Sequence, residues 1–89
     1  MFAIVGASRL GSESGPEFAQ GLLAVLGGAP GFVSGTFTRS ADGERGRSMV
    51  LFETENAATT AMEMALQNMP QDAPVEIESV EVYEVVAHS

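Results

Sequence analysis

Residues 32–53 read FVSGTFTRSADGERGRSMVLFE. Two strand-like runs, Phe32–Arg39 and Arg47–Glu53, flank the polar segment SADGERG at residues 40–46. Asp42-Gly43 within it is a strong hairpin signal, because glycine takes a positive φ without steric cost. A turn centred there pairs Phe37 with Ser48, Gly35 with Val50 and Val33 with Phe52. Side chains alternate across a strand, so this register sorts two faces. Val33, Phe37, Val50 and Phe52 form one, suited to burial under helices. Phe32, Ser34, Thr36, Thr38, Arg47, Met49, Leu51 and Glu53 form the other. A one-residue bulge would exchange these assignments locally.

Upstream of the hairpin, Pro30-Gly31 reads as a turn. Before it, Phe18, Leu22, Val25 and Leu26 fall on one helical face. Ser14-Gly-Pro-Glu17 fits a capping box at the start of that helix, and Gly27-Gly28 fits its end. Residues 1–6 are an apolar run that predicts a central strand, and Gly6 to Gly15 reads as a connection. Downstream, Thr54 can cap a second helix whose stripe is Ala58, Ala61, Met62, Ala65, Leu66 and Met69. Pro70 and the loop through Pro74 end it, and Val75–Ala87 predicts a long last strand. The order strand, helix, strand, strand, helix, strand is that of the α+β ferredoxin-like split βαβ fold. It forms a single domain over residues 1–89. Right-handed crossovers place the first and third strands in the centre.

The chain has 89 residues, enough for one thin core. It has no cysteine, which excludes disulfides, thiolate zinc sites and cysteine nucleophiles. The formal net charge is −8, and all four basic residues are arginines: Arg9, Arg39, Arg45 and Arg47. That balance argues against nucleic-acid and anionic-membrane partners. Without lysine there is no Schiff-base chemistry and no phosphate-loop lysine. No basic leader or long apolar run is seen, so a cytoplasmic location is expected.

The start of the chain, MFAIVGASRLGSESGPEF, imitates a strand, a glycine loop and a helix that hold a phosphate. Gly6 and Gly11 have the phosphate-loop spacing, but Ser12 and Glu13 follow where lysine and a hydroxyl residue belong. Glu13 and Glu17 also place negative charge where an anion would sit. A plain connection is the stronger reading, leaving open whether Gly6 to Gly15 borders a cavity.

The element order, with Pro30-Gly31-Phe32 entering the second strand and Phe52-Glu53-Thr54-Glu55-Asn56-Ala57-Ala58 leaving the third, resembles the dimeric α/β-barrel superfamily. The likeness is greatest to its antibiotic-biosynthesis-monooxygenase-like domains. The resemblance implies two such sheets packed face to face in a homodimer, and either cofactor-independent oxygenase or haem-degrading activity. Members with those activities often use tryptophan, asparagine and histidine in the cavity. Here tryptophan is absent and Phe52 stands where it is often found. The first strand has no asparagine, and Thr60, Ala61 and Met62 occupy the helix position of the usual histidine. The fold carries over; the catalytic set does not.

Other constellations have plain structural readings. Glu76, Glu78, Glu81 and Glu84 read as a charged edge strand that resists aggregation, in preference to a cation site, and no metal is expected. His88, the only histidine, is next to the C-terminus, and Tyr83 reads as a core or interface aromatic. Arg47, beside Thr36 and Thr38, reads first as an intersubunit ion-pair partner and second as a holder of an anionic ligand group. Met49, Met62, Met64 and Met69 read as core before they read as an adaptable pocket. Asp42, Glu44 and Arg45 read as a solvated hairpin tip. The expectation is a cofactor-free homodimer, joined through its sheet faces, that binds a small apolar or aromatic ligand between sheet and helices. Thr36, Arg47, Phe52 and Tyr83 are the candidate ligand-binding residues. The alternative is a cofactor-independent monooxygenase acting on an aromatic or polyketide-like substrate. Haem binding is the least supported, for want of an axial histidine.

Overall fold

A computed structural model describes residues 1–11, 16–69 and 75–88. Along the chain run β1 (Phe2–Leu10), α1 (Pro16–Gly27), β2 (Phe32–Arg39), β3 (Arg45–Phe52), α2 (Glu55–Gln67) and β4 (Val75–Glu84). The strands form one antiparallel sheet in the order β2-β3-β1-β4, with β1 and β3 central. Both helices pack on one face of it. This is the ferredoxin-like arrangement expected from the element order. Ser14 and the loop through Pro70–Pro74 lie outside the described residues, so the capping box does as well.

The hairpin follows the predicted register at Phe37↔Ser48 and Gly35↔Val50. Past Ser34 it departs, because a bulge between Phe32 and Ser34 sets Phe32, not Val33, opposite Phe52. The extra residue exchanges the two side chains. Phe32 turns inward and meets Phe52 edge-to-face at 5.9 Å, while Val33 is exposed. At the tip Gly43 has φ +76°, and its N–H donates to the Ser40 carbonyl.

β1 runs four residues beyond the predicted end. Gly6 to Leu10 pair with β3 through Arg9↔Arg45 and with β4 through Leu10↔Val75. A central strand bonded on both sides overrides the poor strand propensity of its glycine. β4 stops at Glu84, three residues short of the expected Ala87, although the Val85 N–H still donates to the Met1 carbonyl.

Ile4, Leu26, Val50, Phe52, Ala58 and Ala61 form the core. The two alanines bring α2 close over Val50 and Phe52, the largest fully buried side chains. The Thr54 hydroxyl accepts the Ala57 N–H at 3.1 Å and caps α2 as expected. At the other end Asn68 closes the helix: its backbone and side-chain N–H groups both donate to the Met64 carbonyl. Met69 therefore lies past the helix. On α1 the buried face includes Leu23, which packs over Gly35, and Val25 is left exposed.

Candidate ligand-binding site

A cavity of about 300 Å³ lies between the inner face of the sheet and the two helices. Phe18 and Leu22 of α1, Phe37 and Val50 of the hairpin, Met62 and Leu66 of α2, Met69, and Ile77 and Val80 of β4 supply apolar walls. The sequence explains why space remains. Strand parity turns Gly6 and Ser8 of β1 inward, opposite Ser48 and Gly46 of β3. Those four small residues face the helices where Ile4 and Val50, one step along the same strands, fill the core. Core on one side and cavity on the other thus share one sheet face.

The floor is tightly built. A Cβ on Gly6 would stand 2.7 Å from the Ser48 Oγ, and one on Gly46 would stand 2.9 Å from the Ser8 Oγ. Each hydroxyl therefore leans across onto the facing glycine. Glycine inside a strand commonly marks close approach by another group, and here that group is the neighbouring serine. Gly6 begins the segment whose place at a cavity border the sequence left open, and Gly6, Ala7, Ser8 and Leu10 line the cavity; the pairing of Gly6 and Ser8 with Ser48 and Gly46 as its floor was not anticipated. Their signal is the small residues at every second position of two paired strands, which becomes visible only once β1 is extended to Leu10.

The four residues expected to bind ligand do not converge. Thr36 and Arg47 lie on the outer face of the hairpin, where Thr38 pairs with Arg47 and Thr36 with Met49. Arg47 also borders the cavity's edge, and its guanidinium donates to the Gly46 carbonyl at 3.0 Å. Tyr83 is on the same outer face, half exposed, but on β4, the opposite edge of the sheet. Three strand spacings separate it from Thr36, roughly 14 Å. Phe52 is on the inner face at 0% exposure and belongs to the core. Arg39, at the end of β2 opposite Gly46, borders the cavity.

Among the described residues two groups titrate away from their ordinary values, and both are exposed. The Ser40 hydroxyl and the Glu44 N–H donate to the Asp42 carboxylate and hold it below the usual range. The Glu81 carboxylate, by hydrogen bonding and then by charge, holds the Tyr83 phenol above its usual range. Neither group borders the cavity. Among the described residues no cluster of three or more histidine, aspartate or glutamate side chains could hold a metal ion. Arg9 and Glu78 approach at 3.7 Å on exposed surface, a pairing worth little. Met62 and Met69 line the cavity, Met49 is exposed on the outer face, and Met64 borders a separate hollow with Ala29 and Pro30.

Comparison with solved structures identifies the architecture. A MhuD variant with two manganese protoporphyrin IX molecules bound per active site superposes with a TM-score of 0.66. The match is 18% identical and covers 100% of this chain and 98% of that one. A putative antibiotic biosynthesis monooxygenase from Deinococcus radiodurans superposes with a TM-score of 0.61 at 12% identity, covering 100% and 96%. The chain has the fold of these proteins. No protein-family model matches it, and no curated protein matches it either. At these identities the likeness establishes the architecture that the hairpin and element order predicted. No described helix is long and apolar enough to cross a membrane.

Proposed function

We propose that this protein is a homodimeric binder of a small apolar or aromatic ligand, held between sheet and helices. The observation that carries the reading is the apolar-walled cavity of about 300 Å³, at the lower end of the range for small-molecule sites. Burial of ligand surface against Phe18, Phe37 and Met62 supplies the affinity, at roughly 25 cal/mol per Å² of apolar area before the cost of association. Native mass spectrometry after incubation with naphthalene-sized aromatics tests it. A retained one-to-one complex per subunit is expected, and no retention overturns it.

The homodimer rests on the outer sheet face. Ala3, Val5, Met49, Leu51 and Tyr83 share that face by strand parity; Ala3 and Leu51 are already buried within the subunit, whereas Met49 and Tyr83 are each about half exposed. A second copy related by a two-fold axis would cover them. In that arrangement the arginine corner of Arg9, Arg45 and Arg47 and the acidic β4 edge give each subunit charges of both signs to exchange.

A second reading is favoured by the fold shared with the Deinococcus radiodurans protein: cofactor-independent oxygenation of an aromatic substrate. Such chemistry draws its electrons from the substrate itself, so the protein's part is to bind, orient and keep water away. Oxygen uptake on addition of polycyclic phenols separates catalyst from binder. Haem fits this chain poorly. The sole histidine, His88, is exposed beyond β4, at the end of the sheet where Val85 meets Met1, whereas the cavity spans Gly6 to Leu10. No step through haem is therefore assigned.

A further inference from the structure

We infer that the hairpin end of the sheet's outer face holds a compact dianionic oxyanion, a phosphate or phosphate-monoester group, gripped by Arg9, Arg45 and Arg47. The site is distinct from the cavity's ligand, although Arg47 also borders the cavity's edge. The fold gathers every cation of the chain at this corner. Arg9 pairs directly with Arg45, Arg47 with Thr38, and Arg39 with Gly46. The four arginines thus occupy three adjacent strands, opposite or within three consecutive positions of β3. Strand parity puts Arg9, Arg45 and Arg47 on the outer face, and all three are exposed. Arg9 and Arg45 are roughly 5 Å apart at Cα, and Arg47 is roughly 7 Å along the strand from Arg45. Like charges set opposite each other destabilise a sheet, and an anion lodged between them turns that repulsion into attraction.

The acids nearby leave two of these arginines unpaired. Glu76 stands opposite Arg9, and Glu78 approaches it at 3.7 Å. Asp42 and Glu44 lie at the hairpin tip, where the Asp42 carboxylate already accepts the Ser40 hydroxyl and the Glu44 N–H. Among the described residues Arg45 and Arg47 form no salt bridge, although the chain has 12 acidic residues to 4 arginines. Arg47 donates to the Gly46 carbonyl and keeps further N–H groups free to donate. A guanidinium fork matches an oxyanion with two parallel bonds. The net charge of −8 makes the occupant compact. Screening confines the corner's field to roughly 8 Å at physiological salt. A single phosphate there meets the arginines alone, whereas a nucleic acid, an anionic membrane or an acidic protein would extend over the glutamates of β4.

Backbone-amide NMR of the intact protein tests the site. Inorganic phosphate and glycerol phosphate are titrated at constant low ionic strength and mildly alkaline pH, where each carries two charges. Saturable shifts at Ala7, Arg45 and Arg47 are expected, and the tighter probe tells free phosphate from a monoester. Arg45→Gln/Arg47→Gln should weaken binding at least roughly tenfold, through lost charge-assisted hydrogen bonds. Arg45→Lys/Arg47→Lys keeps the charge without the fork and should fall between. The single variants keep the test available should a double variant fold poorly. Shifts that do not saturate, or that chloride reproduces at the same ionic strength, mark an adventitious ion only and overturn the site. Phosphate affinity untouched by the glutamine substitutions also overturns it; if those substitutions instead turn a dimer into a monomer, the arginines belong to the subunit interface.

Discussion

Gly43 carries a φ of +76°, a conformation in which any Cβ is disfavoured. Gly43→Ala is expected to destabilise the domain by about 1–2 kcal/mol, measured by chemical denaturation, although the space around Gly43 is open. Its neighbour Asp42 makes the hairpin pH-sensitive. Hydrogen bonds to the carboxylate lower its folded pKa below 3.8, so their stabilisation is present above the unfolded value and is lost as pH falls through the folded one. The Glu44 amide resonance should shift across that acidic window, and Asp42→Asn should remove the transition. Tyr83 provides a second check: Glu81→Gln should bring the phenol's absorbance titration back down toward 10.0. At this scale the turn was readable, because Asp-Gly has few alternatives. The cavity floor was not. Gly6 and Ser8 resemble loop residues unless the strand is known to continue through them, and only their pairing with Ser48 and Gly46 reveals which way they face.

Elements were readable wherever apolar periodicity and capping agreed. α2 has both: Thr54 at its start and Ala58 and Ala61 on its buried face. Thr54→Ala should cost about 1 kcal/mol of stability, since the Ala57 N–H loses its acceptor. Phe52→Ala should cost far more, about 3–5 kcal/mol, a large part of a small domain's total, and thermal unfolding would report it. The bulge near Phe32 escaped prediction for a physical reason. Val33 and Phe32 are both good strand residues, so sequence preference does not choose between them. The packing of Phe32 against Phe52 decides, with Val33 turned out. The same indifference hid the length of β1, where partners on both sides outweigh local propensity.

At the scale of the molecule, the fold follows from the hairpin being held between two crossover helices, and solved structures with the same architecture confirm it. The site follows less directly. The sequence leads to the expectation of a ligand between sheet and helices, but Thr36 and Tyr83 are on the sheet's other face and Phe52 is sealed in the core. That outer face is where a second subunit is proposed to sit. Met49→Arg should convert a dimer on size-exclusion chromatography to a monomer, and a monomeric unaltered protein would refute the dimer. The cavity can be tested separately through the methionines, because Met62 and Met69 line it, whereas Met49 lies on the outer face. The most direct measurement is methionine-methyl NMR during a naphthalene titration. Shifts at Met62 and Met69 with Met49 unmoved are the predicted result; an unchanged spectrum, or shifts confined to Met49, would contradict a ligand site between sheet and helices.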